Sequence, residues 1–273
     1  MDTIVGDYYL ENSRKKNSTL INFGFNTQDY LVYEVLRTKK GKLIFLEDHM
    51  ERLKNSLSGI SIHSNSDTER IQIDLQQLVT LNDNREGNVK ILCKIVNRQL
   101  YYTAYYIPHE YPPEEMYRQG VKLITYKIER SDPDIKQVHV SEYIRKKIET
   151  ARIKASAYEV LLKNNTGHIT EGSKSNIFLV HNGELYSPPD EYLLPGITRK
   201  YVFQIARELM VPIYKKPIGY DEIKKYESAF ICGTSPKILP VNTIDSNILQ
   251  VKNEIIDLII SKYNTIIQEY IGD

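Results

Sequence analysis

Lys136, in Asp134-Ile135-Lys136, and Glu171, in Thr170-Glu171-Gly172-Ser173-Lys174-Ser175-Asn176, are of types that could work together. A lysine amine withdrawn from water holds its proton less tightly, because burial penalises the ammonium form. The neutral amine can then attack a carbonyl to form a Schiff base, and afterwards carry protons. A carboxylate facing a ring nitrogen keeps that nitrogen protonated and makes the ring an electron sink. Each residue alone also has an ordinary reading, a solvated lysine in a charged loop and a surface-turn glutamate.

Three segments could hold an anion. Arg52 lies one helical turn past His49 in His49-Met50-Glu51-Arg52-Leu53, where its guanidinium can present a fork to phosphate oxygens. Gly196-Ile197-Thr198-Arg199 opens a helix, whose first N–H groups and dipole favour negative charge. The ordinary alternative there is capping of the helix by Thr198. Gly233-Thr234-Ser235 follows an apolar run and offers further amides and a hydroxyl pair. An amine, a ring-nitrogen partner and a phosphate site are what pyridoxal phosphate (PLP) asks of a protein, with a face left over for substrate.

The elements that must position these residues follow from periodicity. Tyr30 to Arg37 and Lys42 to Leu46 read as strands around a Lys39-Lys40-Gly41 turn. Met50, Leu53 and Leu57 fall at helical spacing, and a second helix is expected near Ile71 to Leu81. Val89 to Val96 and Leu100 to Ile107 read as strands, the second rich in tyrosine. Pro108, Pro112 and Pro113 then break the pattern, so the domains are expected at residues 1–113 and 114–273. The second part reads as a strand at Val121 to Tyr126 and a helix from about Ser141 to Ser156. Three short strands follow around Tyr158, Asn176 and Glu184, then a helix at Thr198 to Met210. A buried strand at Ser228 to Cys232 and a closing helix at Val251 to Ile271 complete an α+β pattern.

A net charge of +1 argues against a partner held chiefly through phosphates of nucleic acid. The tyrosine run Tyr101 to Tyr106 accordingly reads as a strand with aromatic faces, and Arg145-Lys146-Lys147 as a solvated helix face. No apolar run is long enough to cross a bilayer, and the start has no leader pattern. Two cysteines, Cys93 and Cys232, both in apolar segments, point away from a disulfide scaffold or a zinc site. The expected setting is the cytoplasm, with neither a nucleic-acid nor a membrane partner and no metal.

Taken in order, the His49–Leu53, Asp134–Lys136, Thr170–Phe178, Leu194–Arg199 and Gly233–Ser235 segments resemble the class IV aminotransferases, the fold type IV PLP enzymes. That family includes branched-chain and D-amino acid aminotransferases and aminodeoxychorismate lyases. The resemblance runs from about Phe23 to Val241. It implies a small N-terminal and a larger C-terminal α/β domain, with Lys136 as the Schiff-base lysine and Glu171 as the pyridine partner. It also implies a phosphate site from Arg52, Ile197, Thr198 and the Thr234 region, Leu194 against the ring, and Tyr33 on the substrate side. A homodimer is implied as well.

Three segments depart from the family pattern. Gln28-Asp29-Tyr30-Leu31-Val32 lacks the usual glycine-bearing turn before Tyr33. Only the short Val96-Asn97-Arg98-Gln99-Leu100 link stands where many members carry an Arg-Gly loop, and Arg98 is the candidate there for a substrate carboxylate. His139 replaces the asparagine often found three residues after the lysine. The expected activity is transfer of an amino group between a small amino acid and a 2-oxo acid, of branched-chain or D-amino acid type. The alternatives are a lyase that releases pyruvate by β-elimination, which would use the same residues, and a PLP-binding protein without turnover.

Overall fold

The computed structural model describes residues 3–18, 31–59, 65–96, 99–128 and 142–272. They divide into two compact units, one holding the described residues up to Glu110 and those from Ile267, the other those from Tyr111 to Ile266. Lys136, His139, Arg98 and Gln28 to Tyr30 lie outside the described residues.

In the first unit, Asn12 and Ser13 both adopt positive φ and fold β1 (Tyr8–Glu11) back onto β2 (Arg14–Asn17). The same device, Lys40 at φ 48° and Gly41 at φ 74°, joins β3 (Leu31–Lys39) to β4 (Lys42–Leu43). Strand β4 is shorter than expected, because Phe45 turns the chain at φ 56° and α1 (Leu46–Gly59) begins at once. After α2 (Asn65–Leu81), β5 (Gly87–Val96) and β6 (Gln99–Ile107) complete an antiparallel sheet in the order β2-β1-β6-β5-β3-β4. Alternation then sorts the side chains. Val32, Leu36, Ile91 and Tyr106 face the apolar stripes of α1 and α2, while Leu92 and Tyr105 face the other way, with Tyr9 and Tyr33. The tyrosine run is a two-faced strand, as expected.

The second unit opens with α3 (Glu114–Gln119) and β7 (Val121–Lys127). Strand β7 runs parallel to β8 (Glu159–Lys163), a pairing that requires a crossover, and α4 (Glu142–Lys154) lies within that connection with Arg145, Lys146 and Lys147 exposed. Next come β9 (His168–Gly172), β10 (Asn176–His181) and β11 (Glu184–Ser187). One strand was expected around Asn176. The chain instead breaks it at Ser173-Lys174-Ser175, where the turn's polar groups find a buried acceptor described below. After α5 (Ile197–Glu208) come β12 (Ile213–Lys215), β13 (Ile218–Gly219), β14 (Ser228–Gly233), β15 (Lys237–Ile244), β16 (Asn247–Ile248) and α6 (Glu254–Ile271). The sheet order is β12-β11-β10-β14-β15-β7-β8-β9-β13, with β16 on β15. Its core includes Leu123, Leu161, Ile177, Ile231 and Leu239. Phe178 stacks on Phe230 at 5.0 Å and meets Phe203 of α5 edge-on at 5.6 Å, which fixes α5 against the centre of the sheet.

No helix among the described residues is long and apolar enough to cross a membrane.

Candidate active site

Strand β10 begins at Asn176, whose register partner is Cys232, one residue before the end of β14. The Glu171–Asn176 turn and Gly233-Thr234-Ser235 therefore share one end of the sheet. Glu171 is 3% exposed. Its Oε2 accepts a hydrogen bond from the Leu194 N–H at 3.0 Å, and the Asn176 side-chain amide donates to the Leu194 carbonyl at 3.0 Å. The two ends of one turn thus grip both polar groups of a single residue.

Leu193 beside it is fully buried, so the approach to α5 is anchored by an apolar side chain as well. Gly196 is the N-cap residue of α5, and a Cβ there would run into Asn176 Oδ1, so a side chain at this position would displace the Asn176 amide that holds Leu194. The sequence alternative in which Thr198 caps the helix does not hold. Thr198 sits inside the first turn, its buried hydroxyl 3.2 Å from the Tyr263 hydroxyl, and the helix start has no side-chain cap. Ile197 and Thr198 are both buried. A buried helix start without a side-chain cap leaves its first N–H groups suited to an anionic ligand.

Arg199, in the same turn, does structural work. Its guanidinium donates to Asp190 Oδ1 at 2.7 Å, Ser187 Oγ at 3.2 Å and the Pro188 carbonyl at 3.1 Å. Asp190 also accepts from Lys215 at 2.6 Å. Burial pushes the Asp190 carboxyl up, but the bonds from Lys215 and Arg199 outweigh it and hold it below the usual range. A cation at a helix N-terminus opposes the dipole, and Asp190 compensates it.

In the first unit, Arg52 is buried, and its Nε and Nη2 donate to the two oxygens of fully buried Glu34 at 2.8 and 2.7 Å. His49 Nδ1 stands 2.9 Å from Glu34 Oε2. The fork expected for phosphate is thus oriented by a carboxylate along its Nε–Nη2 edge. Tyr33 and Glu34 are neighbours on β3 and so face opposite sides of the sheet, Tyr33 toward Leu92 and Tyr105.

Of the expected site residues, Glu171, Leu194, Ile197, Thr198 and Thr234 come together in the second unit. Arg52 and Tyr33 belong to the first, on opposite faces of its sheet, while Lys136 and Arg98 lie outside the described residues. The sequence alone assigns no role to Glu34, His49, Glu159 or Asn176, although His49 and Asn176 lie inside the motif segments. Glu34 shares the inward parity of Val32 and Leu36, and Glu159 opens the run Val160-Leu161-Leu162. A charge at a core position was the available signal in both cases.

Other chemistries find little support. Burial pushes the Cys232 thiol up to about 12, with Arg199 and the Asn176 N–H opposing, and Cys93 is raised too, so neither offers a thiolate near neutral pH. The described residues contain no cluster fit to hold a metal ion.

The chain matches the family described as amino-transferase class IV over residues 31–244. It belongs to that family. It is 30% identical over 226 residues to the D-alanine aminotransferase of Bacillus licheniformis, 78% of either chain. A branched-chain amino acid aminotransferase from Thermobaculum terrenum, solved in its PLP form, superposes with a TM-score of 0.81 at 22% identity. That match covers 97% of this chain and 94% of the other. A protein provisionally named a 4-amino-4-deoxychorismate lyase, from Legionella pneumophila, shares the fold at a TM-score of 0.78 and 22% identity, over 90% of this chain and 96% of its own. The expected family and fold type IV architecture hold, and the class is that of PLP-dependent transaminases.

Proposed function

We propose that this chain moves an amino group between a small amino acid and a 2-oxo acid, as its D-alanine and branched-chain aminotransferase relatives are named for doing, with PLP as cofactor. The observation that carries this reading is the buried Glu171 carboxylate, held by the Leu194 N–H beside the buried, side-chain-uncapped start of α5. When bound, the cofactor supplies an electron sink for the charge left at the amino acid's Cα.

The protein's own residues then divide the work. Lys136 holds the cofactor through its amine and moves the Cα proton. Glu171 keeps the proton on the pyridine nitrogen, a charge-assisted bond that burial strengthens. The N–H groups of Ile197 and Thr198, with Thr234 and Arg52, receive the phosphate, and the Glu34 fork holds the Arg52 guanidinium in one plane for that contact. Leu194, clamped from both sides, packs against the ring and limits water there. Tyr33 and Arg98 meet the substrate. On this reading the domains span residues 1–113 and 114–273, and the enzyme is a cytoplasmic homodimer without nucleic-acid or membrane partners.

The test is to load the purified protein with PLP and offer D-alanine, L-leucine and L-isoleucine, each with 2-oxoglutarate. One new amino acid formed per 2-oxo acid released supports the proposal. Pyruvate released from 4-amino-4-deoxychorismate without an acceptor would replace it with the lyase reading. Tight PLP binding with no product from any of these would replace it with a binding protein.

A further inference from the structure

The sequence Glu171-Gly172-Ser173-Lys174-Ser175-Asn176 meets Leu194 at both ends, through the Glu171 carboxylate and the Asn176 amide. Its middle is shaped by a residue from a different strand. Glu159, the first residue of β8, is 4% exposed. Its Oε1 accepts the Lys174 N–H at 2.6 Å and lies 3.4 Å from the Ser173 hydroxyl, and its Oε2 accepts the Ser175 hydroxyl at 3.0 Å. A Cβ at Gly172 would stand 2.5 Å from Glu159 Oε1 and closer still to Ser175 Oγ. The Ser175 hydroxyl and the Glu159 carboxylate together occupy the room a side chain at Gly172 would need. Backbone bonds complete the brace, Ser173 N–H to the Val160 carbonyl and Gly172 N–H to the Ser175 carbonyl, both at 2.8 Å.

Burial raises the Glu159 pKa, while the Lys174 N–H and the two serine hydroxyls pull it the other way. A buried carboxylate is costly unless its lone pairs are satisfied. In this case the donors that satisfy it come from three consecutive residues of the turn, Ser173, Lys174 and Ser175, whose conformation is fixed in return.

We propose that Glu159 is a positioning residue, whose buried carboxylate moulds residues 172–175 so that Glu171 and Asn176 meet Leu194 and the start of α5 in one fixed register. The pyridine partner and the phosphate site are thereby held as a single rigid body. This rests on the PLP reading above, and it assigns Glu159 no contact with cofactor or substrate.

The experiment compares wild type, Glu159→Gln and Leu239→Ala, the last loosening the core of the same unit at a residue that makes none of the Glu159 bonds. Two quantities are read: the PLP dissociation constant of the apoprotein, and the 15N resonance of bound PLP labelled at the pyridine nitrogen. Glutamine keeps the shape but turns a donor toward the Ser175 hydroxyl. Glu159→Gln should raise the dissociation constant roughly tenfold, by analogy with loss of a group that orients a ligand-binding residue. It should also move the 15N resonance toward the unprotonated position at neutral pH. Leu239→Ala should lower thermal stability and leave both readings near wild type. Should Glu159→Gln fail to fold, the double variant Ser173→Ala/Ser175→Ala, which leaves the carboxylate its Lys174 N–H, should shift both readings in the same direction. Wild-type affinity and an unmoved resonance in the folded variant would overturn the role of Glu159 alone. A wild type that takes up no PLP would overturn the functional reading beneath it.

Discussion

Each unit buries a carboxylate near its proposed contribution to the cofactor site, and the two are satisfied in opposite ways. Glu34 is met by charge, a two-point fork from Arg52 with His49 beside it. Glu159 is met by a backbone N–H and two hydroxyls from one turn. A charge pair ties two elements, β3 and α1, and loss of either partner takes the two-point counter-charge from a buried ion. A carboxylate held by local donors shapes a short segment, and its loss leaves only dipoles unpaired. The first arrangement orients a cation and the second sets a backbone.

That contrast orders the expected effects. The largest is Glu34→Ala, which takes from the buried Arg52 guanidinium its two-point carboxylate acceptor and should cost about 3–5 kcal/mol in urea unfolding. A loss below 1 kcal/mol would erase the distinction between the two sites. Next is Gly172→Ala, whose methyl must displace Glu159 or Ser175; overpacking of this kind should cost about 1–3 kcal/mol. A neutral result would mean that the carboxylate has room to move.

Glu159→Gln should cost less, about 1–2 kcal/mol at neutral pH, and its effect should depend on pH. Because the folded pKa lies above the unfolded one, the folded state holds the proton longer. Wild-type stability therefore falls as pH rises from the ordinary glutamate range through the raised folded value, and the variant should lack that slope. Identical slopes would show that Glu159 does not titrate in this way. The smallest effect belongs to Ser173→Ala, which removes only the 3.4 Å contact and should change stability by less than about 0.5 kcal/mol. A larger loss would make Ser173 a principal brace.

Much of this was legible in the sequence where side chains alternate or repeat against a core. Strands β3, β5 and β6 and helices α1 and α5 follow directly from such patterns. The β1–β2 hairpin escaped because β2 reads Arg14-Lys15-Lys16-Asn17, an exposed edge strand whose lysines leave no apolar rhythm to detect. Strand β15 escaped because Pro240 argues against a central strand, yet it pairs with β14 at Phe230 and joins β7 only from Val241 onward, past the proline. At the site, the motif residues were legible as types, but their supports were not. Glu159 lies twelve residues before Glu171, on another strand, and only folding shows that Gly172 yields its space to it. Asn176 was visible as part of the motif, while its bond to Leu194 depends on two loops meeting.

On the proposed reading, this chain holds PLP through Lys136 and Glu171 to do transaminase chemistry. The most direct measurement is the absorbance spectrum of purified wild type and Lys136→Ala, each after incubation with PLP and removal of the excess. Wild type should show a yellow bound-cofactor band that an amino donor bleaches, and the variant should show no such band. No band in wild type, or the same band in both proteins, would contradict that reading.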